Sequence, residues 1–148
     1  MPIPELNAEG ILPEGLHEAT LEEIDEVFGR FQRTSQRMEL TKQLKEYVGE
    51  VRSANVAKAL IIDGSYVTAK EVPSDIDMIL VLKDDVDLSK DVPPFIYNAR
   101  SKRMVQKAYD FDLFPAFEGD RSYEEFVKLF SKAKDLPGRT KGLLKLHL

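Results

Sequence analysis

Residues 58–82 read KALIIDGSYVTAKEVPSDIDMILVL, two apolar runs with a turn-rich connector between them. The first run, Ala57 to Asp63, is compact and ends in Gly64-Ser65, and the second runs from Ile76 to Leu82. Both read as buried strands, being short, apolar and rich in β-branched residues. Pro73 and Ser74 mark the segment between them as a connector. Asp75 and Asp77 stand at i and i+2 where the second run opens, so in a strand both side chains project from one face.

Outward from this stretch, the pattern turns helical toward the N-terminus. Thr20 followed by Glu23 is a capping-box pattern, and Leu21, Ile24, Val27 and Phe28 recur at helical spacing, which predicts a short helix to about Phe28. A second helix is predicted from Thr34 to Ser53, with Met38, Leu40, Leu44, Tyr47, Val48 and Val51 on one broad face. Pro2, Pro4, Gly10, Pro13 and Gly15 make residues 1–19 an extended arm lying on the domain.

Toward the C-terminus, KDDVDLSKDVPP is acidic and turn-rich and should be solvated. Asn98 to Lys107 suits an amphipathic helix with a basic outer face, whose Arg100, Lys102, Arg103 and Lys107 either bind triphosphate or RNA or balance nearby acids. Tyr109 to Phe117 reads as a third strand, Ser122 to about Ala133 as a helix broken by Pro137-Gly138, and Gly142 to Leu148 as a closing strand. Together these segments predict a single α/β (α+β) domain over residues 1–148, with a mixed sheet of about four strands flanked by helices.

Composition excludes several classes of function. The 148 residues are 43% hydrophobic and 32% charged, ordinary for a globular domain long enough to bury a core without staples. No apolar run approaches the ~20 residues that span a bilayer, so no membrane association is expected. The N-terminus MPIPELNAEG lacks the basic and apolar regions of a secretory signal, and the chain contains no cysteine. A cytoplasmic location is therefore expected, and cysteine nucleophiles and thiolate zinc sites are excluded. A net charge of −5 argues against whole-surface attraction to nucleic acid and leaves only a local basic patch open.

Surface Asp-x-Asp pairs are common in acidic proteins, and a glycine after a strand is an ordinary turn residue. Their conjunction points to chemistry. A glycine that lets backbone N–H groups face outward, a neighbouring hydroxyl and a pair of acids supply phosphate donors and Mg²⁺ ligands. Asp110 and Asp112 repeat the i, i+2 spacing on the third strand. If the two strands are neighbours, one of these acids completes a three-carboxylate site.

Gly64-Ser65, then Ser74-Asp75-Ile76-Asp77, then an acid on a later strand resemble the motif of the nucleotidyltransferase superfamily, the polymerase-beta-like and minimal nucleotidyltransferases included. The wider arrangement is similar to a small bacterial family filed as nucleotidyltransferase-like: LPEGLHEATLEEIDEVFG at 12–29, DGSYVTAKEVPSDIDMIL at 63–80, DLFPA at 112–116 and KGLLKLHL at 141–148. The resemblance implies that Gly64 and Ser65 hold a nucleoside triphosphate and that Asp75 and Asp77 ligate two Mg²⁺ ions. It implies Asp112 as the third acid, because Asp112 directly precedes Leu-Phe-Pro, with Asp110 in reserve. The implied activity is transfer of a nucleoside monophosphate from a triphosphate to a protein, nucleic-acid or small-molecule hydroxyl, in a toxin–antitoxin or phage-defence module with a cognate protein partner.

After Gly64-Ser65 the minimal nucleotidyltransferases continue with a basic residue, a small residue and a glycine, whereas this chain has Tyr66, Val67, Thr68 and Ala69. That departure admits the alternative of a catalytically inactive nucleotidyltransferase-fold module, an antitoxin or scaffold. Lys70 in the connector is a phosphate contact or a solvated loop lysine. Arg139 and Lys141 close over a nucleotide or decorate a turn. Tyr66 stacks on a base, accepts a nucleotidyl group or packs on the N-terminal helix. His17 and His147 have no partner at ligand spacing.

Overall fold

The computed structural model describes residues 3–30, 34–70, 73, 76–109, 111–132 and 138–148. In chain order these form β1 (Leu16–Glu18), α1 (Leu21–Ile24), α2 (Ser35–Ala54), β2 (Ala57–Asp63), β3 (Ile76–Leu82), α3 (Pro94–Arg100), α4 (Lys102–Ala108), β4 (Phe111–Phe117), α5 (Arg121–Phe130) and β5 (Leu143–His147). The strands make one mixed sheet in the order β1-β5-β2-β3-β4. β1 with β5 and β3 with β4 are parallel, while β2 is antiparallel to both β5 and β3.

The predicted sheet of about four strands therefore has a fifth. Residues 16–18 of the arm pair with Leu143, Leu144 and Lys145, and Ala19 N–H donates to the Lys145 carbonyl at 3.0 Å. The addition satisfies part of the outer edge of β5, which would otherwise present unpaired backbone groups.

Alternation along the strands sorts their side chains onto two faces. Leu60 and Ile62 of β2, Met78, Leu80 and Leu82 of β3, Leu113 of β4 and Leu144 and Leu146 of β5 join the larger core under α2. Ala59 and Ile61, Ile79 and Val81, Ala116 and Leu143 point the other way, against Tyr123 and Phe130 of α5. α2 delivers Leu40, Leu44, Tyr47, Val48 and Val51 to the larger core at the predicted spacing. Thr34 caps its N-terminus, and Asn55, at φ 56°, ends it in the left-handed conformation common at helix C-termini.

One helical expectation is refined and one is corrected. α1 has the predicted capping box, with Thr20 and Glu23 exchanging hydrogen bonds of 3.1 and 2.9 Å, but widens into a π-turn over Asp25–Gly29. The helix predicted over 98–107 is two helices, α3 and α4, broken at Ser101, whose hydroxyl accepts from Met104 N–H and starts α4 afresh. The break turns Arg100 inward, where it is buried and donates to the Lys90 carbonyl at 3.3 Å, so Arg100 does not belong to a basic outer face. No helix among the described residues is long and apolar enough to cross a membrane.

Candidate functional site

β2, β3 and β4 are adjacent, and their registers bring three acids into one line. Asp63 stands opposite Asp77, and Asp77 opposite Asp112. Asp63 shares the parity of Ala59 and Ile61, Asp77 that of Ile79 and Val81, and Asp112 that of Ala116, so all three lie on the α5 face at one end of the sheet. The third predicted strand is thus the neighbour of the second, with Asp112 in register with Asp77. Asp75, Ser74 and Asp110 lie outside the described residues.

Gly64, at the end of β2, has φ 97° and ψ 178°, a conformation open in practice only to glycine. Ser65, Tyr66 and Val67 then form a single 3₁₀ turn. Tyr66 does not face solvent. Its ring is fully buried beside Phe28, and its hydroxyl lies 2.5 Å from Thr41 Oγ1 on α2. Of the three readings of Tyr66, the structure has packing on the N-terminal helices. Burial pushes its phenol up to about 12.

Arg37 of α2 organises the loop that follows. Its side chain is fully buried, with Nη1 donating to the carbonyls of Phe28 and Tyr66 at 3.1 and 2.6 Å and Nη2 to those of Thr68 and Lys70 at 2.7 and 2.5 Å. Five N–H donors in a rigid planar fork suit one side chain to gather several carbonyls. Desolvation holds the guanidinium below its ordinary pKa. The Lys70 side chain remains exposed.

Lysines flank the acid line at both ends. Lys141 Nζ lies 2.6 Å from Asp63 Oδ1, with both side chains buried. Lys102 Nζ lies 2.9 Å from Asp112 Oδ1, both partly exposed, and 3.7 Å from the centre of the Phe114 ring. The arm ties these parts together. Ala69 N–H donates to the Gly10 carbonyl and Gly142 N–H to that of Leu12, both at 2.9 Å, while Arg139 grips the Glu9 carboxylate at 2.6 and 3.3 Å. Only glycine fits at 142, where a side chain would run into the Pro13 carbonyl. Lys141 and Arg139 are therefore an internal ion pair and an arm clasp.

A family model described as a family of unknown function, DUF6932, matches residues 4–147. The chain belongs to the DUF6932 family. Comparison with curated proteins finds no match, and comparison with solved structures finds none.

In this DUF6932 member, the sequence alone does not single out Asp63 and Arg37 as part of the site, and it offers Lys102 and Lys141 only as phosphate or nucleotide contacts, not as the partners of Asp112 and Asp63. Arg37 had a readable signal, because it sits one turn before Leu40 and Thr41 on the buried stripe of α2, where a charge demands a purpose. Asp63 directly precedes Gly64 with the same alternation as Ile61. The lysines come from distant segments, and no local pattern announces which acid they meet.

Proposed function

We propose that this protein is a Mg²⁺-dependent nucleotidyltransferase acting on a nucleoside triphosphate, with Asp77 and Asp112 as its described metal-binding carboxylates. The observation that carries this reading is the register of Asp77 with Asp112 on one face, beside the glycine-only turn at Gly64. Among the described residues no group of three or more metal-ligating side chains converges. The donor set nevertheless suits Mg²⁺, which keeps several waters and is commonly held by one or two carboxylates plus substrate phosphates. Asp75, expected from the sequence as a further ligand, belongs to the same proposal.

When bound, Mg²⁺ would polarise the α-phosphate and neutralise charge on the departing pyrophosphate. The chain's own part is positioning. Backbone N–H groups of the Gly64 turn and the Ser65 hydroxyl would receive phosphate oxygens, Arg37 fixes the loop that presents them, and exposed Lys70 is free to reach the distal phosphates. Asp112 would accept the proton of the acceptor hydroxyl as its oxygen bonds to the α-phosphorus and the bridge to the β-phosphate breaks. A cognate protein partner, a toxin–antitoxin or phage-defence setting and a cytoplasmic location belong to this reading.

The test is pyrophosphate release from each ribonucleoside triphosphate with Mg²⁺, alone and with cell extract as a source of acceptors. Asp77→Asn and Asp112→Asn should each lower the rate by about a hundredfold or more. Release that is unchanged in both variants overturns the reading.

One observation favours a second reading, an inactive module on the same fold that binds a partner protein. Tyr66 and Val67, which replace the basic and small residues of the resembled motif, are consumed by packing. Under that reading Asp77→Asn and Asp112→Asn leave both partner binding and the cellular effect intact.

A further inference from the structure

We infer that Lys102 is a displaceable counter-ion of the site, holding Asp112 until a divalent cation arrives and then contacting the phosphates of the nucleotide. The inference rests on the reading of Asp77 and Asp112 as cation-binding carboxylates and adds a residue that reading does not contain.

The two lysines of the acid line are built differently. Lys141 and Asp63 are 9% and 5% exposed, so their charges have no water to return to and the pair is permanent. Lys102 and Asp112 are 46% and 41% exposed, so solvent screens the pair and either partner separates at little cost. Of these two pairs, the one at Asp112 is open to exchange of its cation.

Lys102 also has a second seat. Its ammonium lies over the ring of Phe114, two residues along β4 from Asp112 and on the same face. That ring is held by Phe126 and Phe130 of α5, with centroids 5.1 and 5.3 Å away. The Lys102 backbone is anchored as the first residue of α4, just after the Ser101 cap. A fixed root, a flexible four-carbon stem and an aromatic rest keep the charge at the site after it leaves Asp112. A doubly charged ion at Asp112 repels the ammonium from the carboxylate, and a triphosphate brought in with that ion is the nearest new anion.

The experiment measures Mn²⁺ binding alone by electron paramagnetic resonance, and binding of a non-hydrolysable nucleoside triphosphate analogue in saturating Mn²⁺ by calorimetry. The proteins are the wild type, Lys102→Met and Asp112→Asn, with folding checked by circular dichroism. Lys102→Met should bind Mn²⁺ alone about two- to fivefold more tightly, the range an exposed ion pair commands. It should bind the analogue about tenfold more weakly, as expected for loss of one charge-assisted contact. Asp112→Asn should lose the metal.

If the wild type binds Mn²⁺ and Asp112→Asn does not, but either Lys102→Met affinity is unchanged, the role of Lys102 is overturned and the carboxylate site stands. If neither the wild type nor Lys102→Met binds Mn²⁺, the carboxylate site is itself overturned and the Lys102 role falls with it. Binding that appears only in Lys102→Met supports displacement in its strongest form.

Discussion

Lys141 Nζ lies 2.6 Å from Asp63 Oδ1 in a pair that joins the segment before β5 to the last residue of β2, with more than nine-tenths of each side chain out of water. Removing one partner strands a buried charge, so Lys141→Met should cost about 3–5 kcal/mol in urea unfolding. The double replacement Asp63→Leu with Lys141→Met should recover most of that loss, because apolar groups of similar volume need no counter-ion. A double variant as unstable as the single one would show that the damage is steric.

The contrast between this pair and the strands it joins shows what the sequence could disclose. β2 and β3 were legible to the residue, because Ala57 to Asp63 and Ile76 to Leu82 are apolar runs that turn residues bound sharply. The parity of Asp77 and Asp112 was legible too, since alternation assigns a face without knowledge of neighbours. Strand order was not, and it is order that sets Asp63 beside Asp77 and Asp77 beside Asp112. β1 escaped because three residues are too few to carry a period and its pairing depends on β5. The break at Ser101 escaped because helical spacing runs unbroken through 98–107 and only the cap and the burial of Arg100 interrupt it.

Arg37 replaces what would otherwise be water or sheet partners for four carbonyls, three of them, Tyr66, Thr68 and Lys70, in the segment after Gly64. Arg37→Lys keeps the charge but loses the planar fork, so it should still be destabilised by about 3 kcal/mol, since several charge-assisted bonds go together. The loss should be local first. Amide exchange should quicken at Val67, Thr68 and Ala69, whose N–H groups bond to Gly64, Ser65 and Gly10. Exchange that quickens uniformly over the sheet instead would mean that Arg37 supports the whole fold and not this loop.

Two glycines separate backbone strain from helix propensity. Gly64→Ala forces an L-residue to φ 97°, ψ 178° and should cost about 1–3 kcal/mol, with the turn displaced and triphosphate binding lost. Gly49, in α2, has open space where a methyl would go, so Gly49→Ala should gain about 0.5–1 kcal/mol. Thermal unfolding of the two variants beside the wild type gives the comparison. A Gly64→Ala protein as stable as wild type would remove the strain argument.

Tyr66 makes stability depend on alkaline pH with a definite sign. The folded protein keeps the phenol protonated up to about 12, while the unfolded chain ionises it near 10, so above 10 the unfolded state holds fewer protons than the folded one. The contribution of Tyr66 is therefore fully present below pH 10 and is lost as pH rises toward about 12. Tyr66→Phe deletes the hydrogen bond to Thr41 and should cost about 1 kcal/mol near neutral pH; Thr41 Oγ1 keeps the Arg37 carbonyl as its acceptor at 2.7 Å. The variant also deletes the titration. Burial raises the phenols of Tyr47, Tyr109 and Tyr123 as well, so both proteins weaken in alkali, and the informative quantity is the difference between them. That gap should narrow as pH climbs past 10, whereas a constant gap in denaturant unfolding would mean that ionisation of Tyr66 is not linked to unfolding.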